Sequence, residues 1–139
     1  MNKQSGFSLI EIMVVVVILG ILASIVVPKI ISRPDEARVV KAKQDVLSIQ
    51  NALDLYKLDN GFYPSTDQGL IALVEKPSSN PIPANWQLYL KSLPKDPWGR
   101  EYMYLNPGEH GEVDVFTYGA SGQAGGTGIN AEIGNWDAR

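Results

Sequence analysis

A few groups in this chain have chemistry beyond packing. Glu11 is the only ionisable side chain between Phe7 and Val27. A carboxylate at the centre of a membrane-spanning helix costs about 2.5–3.5 kcal/mol, and less near an interface. It therefore either meets a cation or snorkels to the headgroups. The glycine-rich stretch Gly119 to Gly134 is the one place with the composition of a ligand loop. It has no basic residue and no GKS or GKT ending, so it is not a phosphate loop, and composition alone reads it as flexible. His110 lies in a Pro-Gly loop with Glu109 and Glu112 beside it. No Ser/His/Asp or metal-ligand spacing accompanies it, which argues against an enzyme and makes it a solvated loop residue. The aromatics Phe62, Tyr63, Trp86, Trp98, Tyr102, Phe116 and Trp136 can line a carbohydrate groove, but core packing explains them more simply.

These groups need elements to position them. Phe7 to Val27 spans 21 residues, a helix of about 32 Å against a hydrocarbon core of roughly 30 Å. Pro28 closes the run and removes a backbone donor, so a kink or local melting is expected there. Pro34 adds a second weak point, with Ser32 or Asp35 capping the helix that resumes over 35–59. In that helix Val39, Ala42, Val46, Ile49, Leu53 and Tyr56 form an apolar face, widened by Leu47, Leu55 and Leu58. Asn60-Gly61 supplies a left-handed stop.

Ser65 and Gln68 have capping-box spacing ahead of Leu70, Ile71, Leu73 and Val74, which predicts a short second helix. Pro77 to Pro83 reads as an exposed loop, after which Trp86, Leu88, Tyr89 and Leu90 return to the core. Leu93 to Arg100, containing Asp96-Pro97-Trp98-Gly99, marks a tight turn. Glu101 to Leu105 and Glu112 to Tyr118 read as strands joined by Asn106 to Gly111. The fold class is α+β: a long N-terminal helix, transmembrane then amphipathic, on a small antiparallel sheet with a C-terminal glycine-rich loop.

The chain has 139 residues, with Lys plus Arg 12, Asp plus Glu 15 and a formal charge of −3. That is one span and one domain of ordinary size. No basic stripe suggests nucleic acid. There are no cysteines, so packing must supply stability without a disulfide. Lys3 precedes the apolar run while Lys29, Arg33, Arg38, Lys41 and Lys43 follow it; the positive-inside rule alone favours an N-out orientation.

The string Gly6-Phe7-Ser8-Leu9-Ile10-Glu11 resembles the signal of type IV pilins and of the pseudopilins of type II secretion. YKLDNGFYPSTDQGLIAL, LPKDPWGREY and DVFTYGASGQAGGTGINAEIGNW are similar to the major pseudopilins of that secretion system, over nearly the whole chain. The resemblance implies that a prepilin peptidase removes residues 1–6, cutting between Gly6 and Phe7 on the cytoplasmic side and methylating Phe7. It implies the opposite topology to the charge rule: N-terminus in the cytoplasm, a transmembrane and assembly helix at 7–28, and a periplasmic domain at 29–139. The subunit then polymerises into a pseudopilus with itself and minor pseudopilins, driven by an inner-membrane platform and its assembly ATPase, since no nucleotide site stands in this sequence. If identical helices stack with a stagger, the Phe7 amine of an incoming subunit meets Glu11 of its neighbour and the two costly charges neutralise. Flexibility near Pro28 lets the helix adjust. The rivals are a type IV pilin for adhesion or DNA uptake and an anchored binding domain that never polymerises.

The resemblance also implies a structural calcium in the glycine-rich loop, held by aspartates of a G-A-D-G and an A-D-I-G-N-W segment with backbone carbonyls. Here Ser121 and Glu132 stand at those aspartate positions. Glu132 leads the candidate ligands, followed by Ser121, Asn130 and the Tyr118 carbonyl. One carboxylate among neutral oxygens binds calcium weakly. The alternative is a loop held by hydrogen bonds and by Trp136 packing.

Overall fold

The computed structural model describes residues 3–138, without the side chains of 26–33 and 138. One helix, α1, runs Leu9–Asn60. Short 3-10 turns lie at Leu70–Leu73, Gly128–Asn130 and Asn135–Ala138, and the strands are β1 (Met103–Leu105), β2 (Asp114–Thr117) and β3 (Ile133–Gly134). The chain divides into two compact units, Met1–Glu36 and Ala37–Arg139.

In the first unit the helix presents apolar side chains to its surroundings on every side. Phe7 is 80% exposed, and Leu9 through Ile25 leave half or more of each large apolar side chain uncovered. Among the described residues no helix is long and apolar enough to cross a membrane. The described side chains of the apolar run end at Ile25, and Val26 and Val27 fall outside that description. The restart expected after Pro28, with a cap at Ser32 or Asp35, is not found: helical backbone carries through Pro28 and Pro34. A proline inside a helix deletes one i→i−4 bond while the neighbouring bonds remain, so it need not end the element. The side chains of Pro28 and Ser32 lie outside the described residues.

In the second unit, Ala42, Val46, Ile49, Ala52, Leu53 and Tyr56 are buried. They carry one side of α1 onto Leu70, Ala72, Leu73, Tyr102, Tyr104, Val113 and Val115. Val39 is half-buried. Leu47, Leu55 and Leu58 do not widen that face; they are exposed, because 100° per residue carries them to the side opposite Ile49 and Leu53. Three aspartates at the margins of the helix accept tyrosine hydroxyls: Tyr102 to Asp45 at 2.8 Å, Tyr63 to Asp54 at 2.9 Å and Tyr89 to Asp59 at 2.8 Å. Burial, and then the bond to Asp54, push the Tyr63 hydroxyl up to about 12, so it donates at any physiological pH.

Ser65 and Gln68 make the reciprocal bonds their spacing predicts, at 3.0 and 3.1 Å. The segment that follows is a single 3-10 turn, not an α-helix. Trp86, Tyr89 and Leu90 return to the core, whereas Leu88 stays exposed. The sheet order is β1-β2-β3, antiparallel throughout, with Tyr104 opposite Val115 and Phe116 opposite Gly134. The strands are shorter than expected, and β3 arises from the end of the glycine-rich stretch read as loop.

Candidate functional sites

At the start of α1, the Ser8 N–H donates to Glu11 Oε2 at 3.4 Å and the Glu11 N–H donates to Ser8 Oγ at 3.2 Å. This is a capping box, in which Ser-x-x-Glu satisfies two helix-end donors reciprocally. The Ser-x-x-Glu spacing stands in the sequence beneath the more conspicuous charge. The cap satisfies the Ser8 and Glu11 N–H groups, and a helix N-terminus favours negative charge. Just before it, a Cβ built on Gly6 meets nothing within 4 Å, so the Gly6-Phe7 peptide is open to approach.

The glycine-rich stretch is an ordered turn with two arms. Thr117 pairs with Ile133 across β2 and β3, which brings Tyr118 and Glu132 to the next step outward. Ala120 N–H donates to the Ile129 carbonyl at 2.9 Å. Gly119 has φ +77, and a Cβ there would sit 2.7 Å from the carbonyl oxygens of both Ile129 and Ala131. Only glycine allows that approach.

The four candidate calcium ligands thus lie on facing arms of one loop, but the donor set fits the ion poorly. The Ser121 hydroxyl is turned into its own short turn, 3.3 Å from the Gln123 N–H and 3.4 Å from the Gln123 carbonyl. Among the described residues no group of three or more His, Cys, Asp or Glu side chains converges as metal ligands. A cation already stands at the loop: the Arg100 guanidinium donates to the Gly119 carbonyl.

Arg100 is placed there by Asp96. Asp96 is buried and accepts the Trp98 and Arg100 N–H groups at 3.0 and 2.8 Å on one oxygen. Its other oxygen accepts the Thr117 hydroxyl at 2.6 Å and lies 3.8 Å from Arg100 Nε. The Asp96-Pro97-Trp98-Gly99 turn is therefore an aspartate-organised knot linking β2 to the loop.

His110 stays an exposed loop residue, as expected, but its ring has fixed partners. Its ring stacks on Trp136 at 3.8 Å, and Nδ1 lies 3.0 Å from Asp114 Oδ2. Asp114 is 1% exposed and also accepts the Glu109 and His110 N–H groups at 2.8 and 3.0 Å. Burial alone raises the Asp114 carboxyl, but the His110 ring and these two N–H groups outweigh it and hold it below the usual carboxylate value. Nearby Asn135 donates to Gln50 Oε1 at 2.6 Å and to the Val113 carbonyl at 2.9 Å, and accepts the Val115 N–H at 3.3 Å. It joins α1, β2 and the C-terminal turn. The partners of Arg100, Asp96, Asp114 and Asn135 escaped sequence reasoning; for Asp96 the usable signal was Asp-Pro in a turn, since an Asp side chain there so often accepts the backbone N–H groups just after it.

Comparison with known proteins agrees with this arrangement. Residues 29–136 match the family described as "Type II secretion system (T2SS), protein G", and residues 1–27 match the prokaryotic N-terminal methylation motif. The chain is 61% identical to the type II secretion system core protein G of Pseudomonas aeruginosa, over 98% of this chain and 97% of that one. It is 59% identical to the core protein G of Vibrio cholerae, over 99% of this chain and 94% of that one. Its fold superposes on the crystal structure of the major pseudopilin of the type 2 secretion system of enterohaemorrhagic Escherichia coli with a TM-score of 0.69. That match has 41% identity and covers 78% of this chain and 90% of that one. The helix and small antiparallel sheet match the fold of a major pseudopilin, and the chain belongs to the protein G family of the type II secretion system.

Proposed function

We propose that this chain is the major pseudopilin subunit of a type II secretion system, polymerising into a periplasmic pseudopilus that helps export folded proteins across the outer membrane. The observation that carries this reading is the N-terminal helix. Its segment from Leu9 to Ile25 presents exposed apolar side chains on every face and bears one carboxylate, Glu11, held in the first turn. A helix of that kind gains by leaving lipid for a bundle of identical helices. The subunit waits in the inner membrane with its N-terminus cytoplasmic and 29–139 periplasmic. A prepilin peptidase removes Met1 to Gly6 and methylates Phe7, and Glu11 then receives the Phe7 amine of the next subunit. Minor pseudopilins, the inner-membrane platform and its ATPase are the partners that start and drive assembly.

Glu11→Gln and Glu11→Ala, expressed in a strain lacking the native protein, test the charge. Gln keeps an oxygen for the Ser8 N–H and loses the negative charge, whereas Ala loses both. The reading expects both variants to be cleaved and inserted normally and neither to form filaments or support secretion. Normal filaments from Glu11→Gln would overturn it.

A further inference from the structure

We infer that Arg100 is the built-in cation of the glycine-rich loop, so that this chain closes the loop without a divalent metal. The guanidinium is fixed at both ends. Its Nη2 donates to the Gly119 carbonyl, its Nε lies 3.8 Å from Asp96 Oδ2, and its own backbone N–H donates to Asp96 Oδ1 at 2.8 Å. The plane of the group lies against Gly122: a Cβ there would stand 2.8 Å from Cζ and Nη1 and 3.0 Å from Nε. The guanidinium thus lines the same turn that carries Ser121, and a side chain at 122 would displace it.

A calcium ion at that turn would need six to eight oxygens and net negative charge. What it would find is a permanently charged guanidinium on the Gly119 carbonyl, a serine hydroxyl engaged with Gln123, and Glu132 as the remaining candidate carboxylate. Two cations a few ångströms apart repel. Arg100 presents five donors in a fixed fork, enough to satisfy the loop carbonyl while keeping its charge beside the buried Asp96. It acts as a positioning residue: it orders the loop that Trp136, Asn135 and β3 close.

The full-length chain in detergent micelles, followed by tryptophan fluorescence and by proteinase K cleavage within 119–131, tests this in EDTA and in millimolar calcium. The native chain should shift its midpoint by less than about 1 °C between the two conditions. Arg100→Gln should melt roughly 5–10 °C lower in EDTA, with loop cleavage faster by about tenfold. Arg100→Lys, which keeps the charge without the fork, should fall between them, and it serves as the readout if the Gln variant does not fold. A native midpoint that rises several degrees with calcium overturns the inference. So does loop cleavage that is unchanged in Arg100→Gln or, where that variant does not fold, in Arg100→Lys.

Discussion

Removing one oxygen from Tyr56 should stabilise this protein. Tyr56 is fully buried between α1 and the sheet. Among the described residues, its hydroxyl is the buried side-chain polar atom with no hydrogen-bond partner. Burial, with the neighbouring Tyr89 behind it, raises its pKa, so the group stays neutral and simply loses its water. A desolvated hydroxyl without a partner costs about 1–3 kcal/mol. Tyr56→Phe removes that cost and keeps the ring contacts, edge-on to Phe62 at 6.3 Å and tilted on Tyr89 at 5.3 Å. A gain of about 1–2 kcal/mol corresponds to a midpoint roughly 4–12 °C higher for a unit of this size. Tyr102→Phe is the control. The same atom is deleted, but that hydroxyl donates to Asp45 at 2.8 Å, so stability should fall by about 0.5–1.5 kcal/mol. Thermal melts of the full chain in detergent, read by near-ultraviolet circular dichroism, measure both. A lower midpoint for Tyr56→Phe would show that its hydroxyl has a partner and would refute the reasoning.

Other expectations follow from the C-terminal half. Asp114→Asn should destabilise by about 2 kcal/mol at pH 7, because it removes the charge that accepts two N–H groups and the His110 ring. The Asp114 carboxyl is depressed in the fold, so its stabilisation is present above the unfolded value of about 3.9 and is lost as pH falls through the folded value. Melts of native and variant chains should therefore begin to converge as pH falls below about 4 and meet only below the folded value. Gly134→Ala places a Cβ 2.4 Å from the Trp136 ring. It should displace that ring from His110 and cost about 1–3 kcal/mol, visible as altered tryptophan emission. Asn135→Ala leaves the Val115 N–H and Val113 carbonyl unpaired and should cost about 2–3 kcal/mol in the same melts.

Much of this was legible in the residues. The apolar period of Ala42, Val46, Ile49, Leu53 and Tyr56 named the buried side of α1 because burial and helical period are the same fact there. Ser65 and Gln68 announced their turn because a capping box needs only local geometry. Leu47, Leu55 and Leu58 misled because hydrophobicity was counted without its angle; the leucines stand opposite the core. Strand β3 was hidden because Ile133 and Gly134 pair with β2 through contacts distant in sequence, and the glycines before them read as loop. The buried aspartates were hidden for a related reason. Asp96 and Asp114 look like surface charges until the N–H groups that satisfy them are placed around them. Ser8 and Glu11 carried a visible cap that the more conspicuous charge in an apolar run overshadowed.

The most direct test of the account is the intact mass of the protein extracted from membranes of cells with and without the prepilin peptidase. The account predicts a chain that begins at methylated Phe7 when the peptidase is present and an uncut Met1 chain when it is absent. A Met1 chain in both would leave Phe7 without the free amine that Glu11 is to receive, and the assembly mechanism would be contradicted.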